Sequence, residues 1–415
     1  MKKLILCLSL LASPSMAQEM RGMDHGMDHG MDDDMAMHGA FGAYAMNRES
    51  SGTSWQPDLG PAMGRMDMLG DWMLMSRLSL SYIYDHQSGP RGDGMFFPAG
   101  MAMGMAQRDF GMGTLGLRAM LSPDPFMGRR GYPLLLASGE TADGTTHLTD
   151  RQHPHDLLME MAASYGYRLN ERSSVFLYLG YPGEPALGPS AFMHRASAQD
   201  DPAAPITHHW LDSTHISFGV ATLGFVRDDW KLEVSQFTGR EPDQYRFNFD
   251  PPRMDSTSAR LSYNPDPHWS LQVSWGHLNS PELLEPQADE TRTTASATYA
   301  TDVGEEGSVA ATLAWGLKSL GGGRRLNGLL AEAEYKPSEA WTVFGRAEWV
   351  ENAELVAGQV SRAGAFSLGG IRDFALDPHW KLGFGGLYAF DFAPGHAGYG
   401  QTPRGAMAFV RLLAE

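Results

Sequence analysis

The feature that most constrains this chain is a period-two hydropathy pattern that recurs from Trp72 to the C-terminus. Successive side chains of a strand point to opposite faces, so Trp230, Leu232 and Val234 share one face and Lys231, Glu233 and Ser235 the other. Ala259, Leu261 and Tyr263 alternate in the same way with Ser258, Arg260 and Ser262. Trp269, Leu271, Val273 and Trp275 alternate with Ser270, Gln272 and Ser274, and Trp341, Val343, Ala347 and Trp349 with Thr342, Arg346 and Glu348. Each segment reads as a strand with one apolar and one mostly polar face.

The connections alternate too. Tight turns rich in Asn, Asp, Glu, Pro and Gly fall near 170–172, 227–229, 264–267, 304–307, 337–339 and 376–378. Between them lie longer links, of which 123–155 and 183–212 are the largest. Short turns at one end and long loops at the other describe an all-β, antiparallel transmembrane barrel of about sixteen strands, with fourteen to eighteen compatible. The strand starts are expected near 72, 95, 112, 156, 173, 213, 229, 254, 268, 291, 306, 326, 340, 362, 379 and 403. Trp230, Trp269, Trp341 and Trp380 each follow a short turn directly, which sets four indoles at one membrane interface. A mean hydropathy of −0.30 does not oppose this, because alternating strands average out.

Ahead of the barrel the chain changes character twice. Residues 1–17 read as a signal peptide: basic Met1-Lys2-Lys3, an apolar run from Leu4 to Ala12, and Ser15-Met16-Ala17 as the cleavage site. Cys7, the single cysteine, would leave with it, so no disulfide or thiolate metal site is expected afterwards. Loss of Lys2 and Lys3 takes the net charge from −17 to −19, which argues against nucleic acid as a partner. Residues 18–40 are a low-complexity tail, residues 41–71 a connector or periplasmic plug, and residues 72–415 the barrel.

The tail repeats Met23-Asp24-His25-Gly26, Met27-Asp28-His29-Gly30 and Met31-Asp32-Asp33-Asp34. Thioethers are soft ligands and imidazoles borderline, so Met23, His25, Met27, His29, Met31, Met35, Met37 and His38 form a candidate set for copper or silver, bound as cargo. The competing reading is a solvated acidic linker. A second set lies in the two longest loops: His153 and His155 in Asp150-Arg151-Gln152-His153-Pro154-His155-Asp156, and His208, His209 and His215 in His208-His209-Trp210-Leu211-Asp212-Ser213-Thr214-His215. Loops folded over the barrel mouth would bring these together as a His/Asp metal site. The plainer expectation is a hydrogen-bonded loop network. Met101, Met103 and Met105 share one strand face; the row would line the lumen as a soft-metal path or, in the simpler expectation, face lipid, while Met75 and Met120, sharing faces with Arg77 and Arg118, are expected to face inward. Inward charges of both signs either line a watery pore or cross-link a closed lumen.

The tail, residues 23–38, resembles the Met/His-rich N-terminal region of the copper-resistance B type of outer-membrane protein. The connector Trp55-Gln56-Pro57, the stretch Gly139-Glu140-Thr141-Ala142-Asp143-Gly144 and the two histidine-bearing loops are similar to a poorly described barrel family seen with such proteins. The resemblance implies an outer-membrane location with a periplasmic tail, sequestration or passage of copper or silver, and periplasmic copper-resistance proteins as partners alongside membrane lipid. It implies no enzyme and supplies no catalytic residues. Two other functions fit the residues: a general diffusion porin with an incidental tail, and a barrel-embedded hydrolase pairing His215 with Ser213 or Ser217.

Overall fold

The computed structural model describes residues 38–61, 64–393, 395, 398–400 and 402–415. In chain order the strands are β1 (Arg65–Leu69), β2 (Trp72–Gln87), β3 (Gly94–Phe110), β4 (Gly113–Leu121), β5 (Tyr132–Thr141), β6 (His147–Gln152), β7 (Leu158–Asn170), β8 (Ser173–Gly180), β9 (Val220–Arg227) and β10 (Trp230–Phe237). They continue as β11 (Ser256–Tyr263), β12 (Trp269–Leu278), β13 (Glu290–Val303), β14 (Gly307–Leu320), β15 (Arg325–Ser338), β16 (Trp341–Asn352), β17 (Ser361–Ala375), β18 (Trp380–Phe392) and β19 (Arg404–Ala414). Sixteen of them, β2–β4 and β7–β19, form one antiparallel barrel. It closes where β19 pairs with β2, from Ala414 opposite Leu78 to Gly405 opposite Gln87. β1 covers the part of β2 that β19 leaves free, Leu69 standing opposite Trp72 and Arg65 opposite Ser76. Closure satisfies the strand hydrogen bonds internally, which lipid requires.

Fifteen of the sixteen barrel strands start within two residues of the positions read from the sequence. The exception is β9, expected near 213 and found at Val220, because residues 208–215 form a helical turn, α1 (His208–Leu211), and a second turn at Ser213–His215. The β5–β6 hairpin inside loop 123–155 carries no alternation, since almost every residue of β5 is buried whichever way it points.

The two faces separate as the pattern requires. Trp230, Leu232 and Val234 are about half exposed, while Lys231, Glu233 and Ser235 are fully buried. Trp230, Trp269, Trp341 and Trp380 lie on the outer face at the short-turn end, each at the first residue of its strand. The inward face is buried because the lumen is filled. Three segments fill it: residues 38–58, the β5–β6 hairpin, and the loop 181–219 between β8 and β9. Phe41 stacks on Phe176 of the wall with ring centroids 4.3 Å apart, and Lys231 Nζ lies 4.7 Å from the Trp55 ring. Arg195 of the inward loop meets Glu332 at 2.6 Å, and Glu332 also meets Arg346 at 3.0 Å. Asp200 pairs with Lys336 at 2.7 Å. The opposite charges of the lumen therefore cross-link loop to wall.

One expectation is reversed. Met101 and Met103 are buried in the lumen and Met105 packs against them. Directly opposed residues share a face, and Met103 stands opposite Arg77 on one side and Met120 on the other. An arginine cannot sit against lipid here without a large cost, so the register turns the whole methionine row inward and leaves Ala102, Gly104 and Ala106 outside.

Candidate metal centre

The inward loop delivers three of the candidate histidines on a rigid support. Thr207 donates to Glu348 of the wall through its backbone N–H (2.9 Å) and its hydroxyl (2.7 Å), which sets the start of α1. Trp210 is buried at the far side of α1, its indole N–H donating to the Leu326 carbonyl at 3.1 Å. Gly328 faces the indole, and a Cβ there would come within 2.8 Å of it. His208, His209 and His215 therefore project from a braced turn. His153 and His155 arrive from the other side, on the short stretch that joins β6 to β7.

The two loops meet. Ring centroids are 5.1 Å apart for His155 and His215, 5.2 Å for His208 and His215, and 5.4 Å for His208 and His209. His153 lies 6.2 Å from His208 and 5.7 Å from His209. All five are buried, and Phe192 packs against both His155 and His208.

Their ring nitrogens are used unequally. His155 Nδ1 is 2.8 Å from Asp124 Oδ2, His208 Nδ1 is 2.8 Å from Asp212 Oδ1, and His215 Nδ1 is 2.8 Å from the Asp212 carbonyl. Carboxylates and carbonyls accept, so each Nδ1 carries the proton and Nε2 is left with a lone pair in the neutral ring. These three Nε2 atoms are buried with no hydrogen-bond partner among the described residues. An unsatisfied buried nitrogen costs about 1–3 kcal/mol, and a carboxylate–histidine pair with a free Nε2 is the usual support of a metal ligand.

Electrostatics divide the five. Burial pushes His208 down, against the pull of Asp212, and pushes His153 and His215 well below the ordinary imidazole range. These rings are neutral at pH 7. His209 goes the other way: burial opposes its charge, but Glu241, 3.1 Å from its Nδ1, lifts it to about 9. Ligand atoms of His209, Glu241 and Glu282 lie within 4.8 Å of one another, and burial together with Glu241 pushes Glu282 up to about 8. That trio is an ion pair with a protonated acid beside it, so a cation there must displace the His209 proton. Gly139 backs His209 at φ +123°, where a Cβ would lie 2.5 Å from the ring.

The structure thus brings together all five loop histidines named from the sequence. Met23, His25, Met27, His29, Met31, Met35 and Met37 lie outside the described residues. His38 is exposed and bound through its backbone, the Gln107 amide donating to its carbonyl at 3.1 Å. Asp124, Glu241 and Glu282 were not singled out as functional; no motif marks them, since each reaches the centre from a different loop. The serine–histidine pairing is not formed. Ser213 donates to Glu241 and Ser217 to the Thr214 carbonyl, while His215 Nδ1 is held by Asp212.

No protein-family model matches the chain, and no curated protein matches it. Solved barrels do. OmpF of Salmonella typhi, in complex with daunomycin, aligns at 11% identity over 84% of this chain and 100% of that one, with a TM-score of 0.54. The chain has the fold of bacterial outer-membrane barrels. Vibrio cholerae OmpT in its trimer form aligns at 7% identity, covering 82% of this chain and 99% of its own, with a TM-score of 0.47. An anion-selective porin from Comamonas acidovorans aligns at 11% identity over 82% and 99%, with a TM-score of 0.46.

Proposed function

We propose that this porin-like barrel binds copper or silver ions and carries them between a periplasmic tail and a lumenal histidine centre. The short-turn end is taken as the periplasmic side, where the chain leaves the tail at His38 beside the end of β3. The observation that carries the reading is the convergence of His155, His208 and His215, each with Nδ1 held and Nε2 bare, inside a lumen otherwise cross-linked by ion pairs. Imidazole is a borderline ligand suited to Cu(II), and the neutral rings of His208 and His215 need lose no proton to bind it. Among the described residues only the His209 trio has its ligand atoms within 4.8 Å, so an ion among His155, His208 and His215 draws them closer. The tail, with its repeated Met and His, supplies ions to this centre, and the resemblance to copper-resistance proteins of the outer membrane points the same way.

The test is Cu(II) binding by the folded full-length chain, read by equilibrium titration and by nitrogen hyperfine structure in electron paramagnetic resonance. His208→Ala with His215→Ala is expected to lose one Cu(II) equivalent and to lower copper tolerance of the host. Unchanged equivalents in that double variant would leave the centre as a structural network and the barrel as a porin.

A further inference from the structure

Nearer the short-turn end, the same lumen gathers sulfur. Eight methionines meet there: Met75, Met101, Met103, Met120 and Met159 are buried together, and Met46, Met105 and Met193 pack against them. They come from four wall strands, the N-terminal segment and the inward loop. Methionine is a common gap-filler in cores, and that alone would explain one or two of them. It does not explain why thioethers collect at one place in a lumen packed elsewhere with aromatic rings and ion pairs.

A second observation points to a ligand. His194 of the inward loop is 1% exposed and lines the same pocket as Met75, Met103 and Met105. Its Nε2 lies 3.3 Å from Met120 Sδ, and its Nδ1 has no partner. Whichever nitrogen carries the proton, the other offers a lone pair to a sulfur-lined space. Burial, with Arg77 and Arg118 nearby, pushes the ring down to about 3, so it stays neutral across the physiological range. One carboxylate oxygen each of Glu49 and Glu160, both lining the pocket, has no hydrogen-bond partner; Glu160 balances Arg118, which also lines the pocket at 3.7 Å from it, and Glu49 supplies the second negative charge for a positive ion. The free space is about 20 Å³, and a water-sized sphere needs about 10–15 Å³. The pocket therefore admits one ion without its hydration shell.

We propose that this pocket is a binding site for a dehydrated, soft monovalent cation, Cu(I) or Ag(I), held by the thioethers of Met75, Met103 and Met105 with His194 as the nitrogen ligand. Thioethers select such ions over Zn, Ca or Mg. The site stands on its own geometry and does not require the three-imidazole centre to bind metal. The same methionine cluster continues toward that centre: Met101, Met159 and Met193 line a separate cavity of about 90 Å³, together with His153 and His155. Sulfur thus leads from the short-turn end to the imidazoles.

The experiment uses the full-length chain folded in detergent, with Ag(I) as probe. Crystals soaked in Ag(I) are expected to show an anomalous peak bonded to sulfur in this pocket. In solution, Met75→Leu with Met103→Leu and Met105→Leu should lose one Ag(I) equivalent, whereas His208→Ala with His215→Ala should keep it. Leucine conserves volume, and retention of the gel shift between boiled and unboiled samples shows that the variant is folded. Unchanged Ag(I) equivalents in the folded variant would overturn the site and leave the methionines as packing. If the triple variant does not fold, the soaked crystal of the unaltered chain decides: no peak in the pocket overturns the proposal. Failure here with Cu(II) still lost in the histidine variant removes only the sulfur site.

Discussion

The imidazole centre and the methionine pocket hang on one inward loop, yet they are held in opposite ways. Each ring of the first is pinned at its far nitrogen, by Asp124 or by the side chain and carbonyl of Asp212. Among the thioethers of the second, Met120 meets His194 Nε2 at 3.3 Å, and the others are held by packing. The difference follows from the ligand atoms. An imidazole binds through one directed lone pair, so its tautomer and orientation must be fixed in advance. A thioether sits on a chain with three rotatable bonds and adapts to the ion. On the proposed reading, one region is preorganised for a borderline ion, and the other adapts to a soft one.

If both regions depend on the loop, cutting its anchor should harm both, and this is the largest effect expected. Glu332 joins Arg195 of the loop to Arg346 of the wall at 2.6 and 3.0 Å. Glu332→Ala leaves two buried guanidinium groups short of a partner, a loss of about 3–5 kcal/mol. The expected outcome is loss of one equivalent each of Cu(II) and Ag(I), with higher single-barrel conductance in planar bilayers as the loop leaves the lumen. Retention of both equivalents would show that the two regions have separate supports.

Asp212→Asn should separate them. A group that hydrogen-bonds the far nitrogen of a metal-bound histidine is typically worth about 10–100-fold in affinity. Cu(II) affinity in a competition titration should therefore fall about 10–100-fold, while Ag(I) affinity is unchanged. An equal fall for both ions would mean that the two clusters act as one site.

The barrel was legible because its signal is local: alternation within a strand and turn chemistry between strands. The reversal of Met101, Met103 and Met105 shows the limit of that signal. Their own strand alternates sulfur with small residues, and only the register against Arg77 and Met120 shows which side is wet. The histidine centre was half legible. His153-Pro154-His155 and His208-His209 were marked by composition, but their meeting depends on two loops more than fifty residues apart in sequence and on Asp124 and Glu241, which no spacing links to them. Of the two expectations for these loops, the hydrogen-bonded network is formed by the Nδ1 atoms, and the metal proposal rests on the Nε2 atoms, which have no partner among the described residues. His194 and its sulfur neighbours come from six separate segments, so no stretch of the chain displays that pocket.

The smallest effect expected is a pH dependence of the inward loop that carries both regions. Glu184, in the inward loop, is 4% exposed and faces Ser51 of the N-terminal segment, with Arg260, Glu160 and Asp212 around it. Burial pushes its carboxyl from 4.5 up to about 8, against the pull of Arg260. The folded loop thus keeps a proton that the released loop gives up. Its contribution is complete below pH 4.5 and is lost as pH rises through about 8. Within that window the loop should weaken by about 1.4 kcal/mol per pH unit, measured by hydrogen exchange of its amides between pH 5 and pH 9. Glu184→Gln cannot titrate and should flatten the slope. Ser51 lines the methionine pocket and Asp212 pins the imidazoles, so release of both Ag(I) and Cu(II) should quicken with pH in the unaltered chain. A slope that persists in Glu184→Gln would assign the dependence to another buried acid, and quickening for one ion alone would show that the two regions do not share the loop as their support.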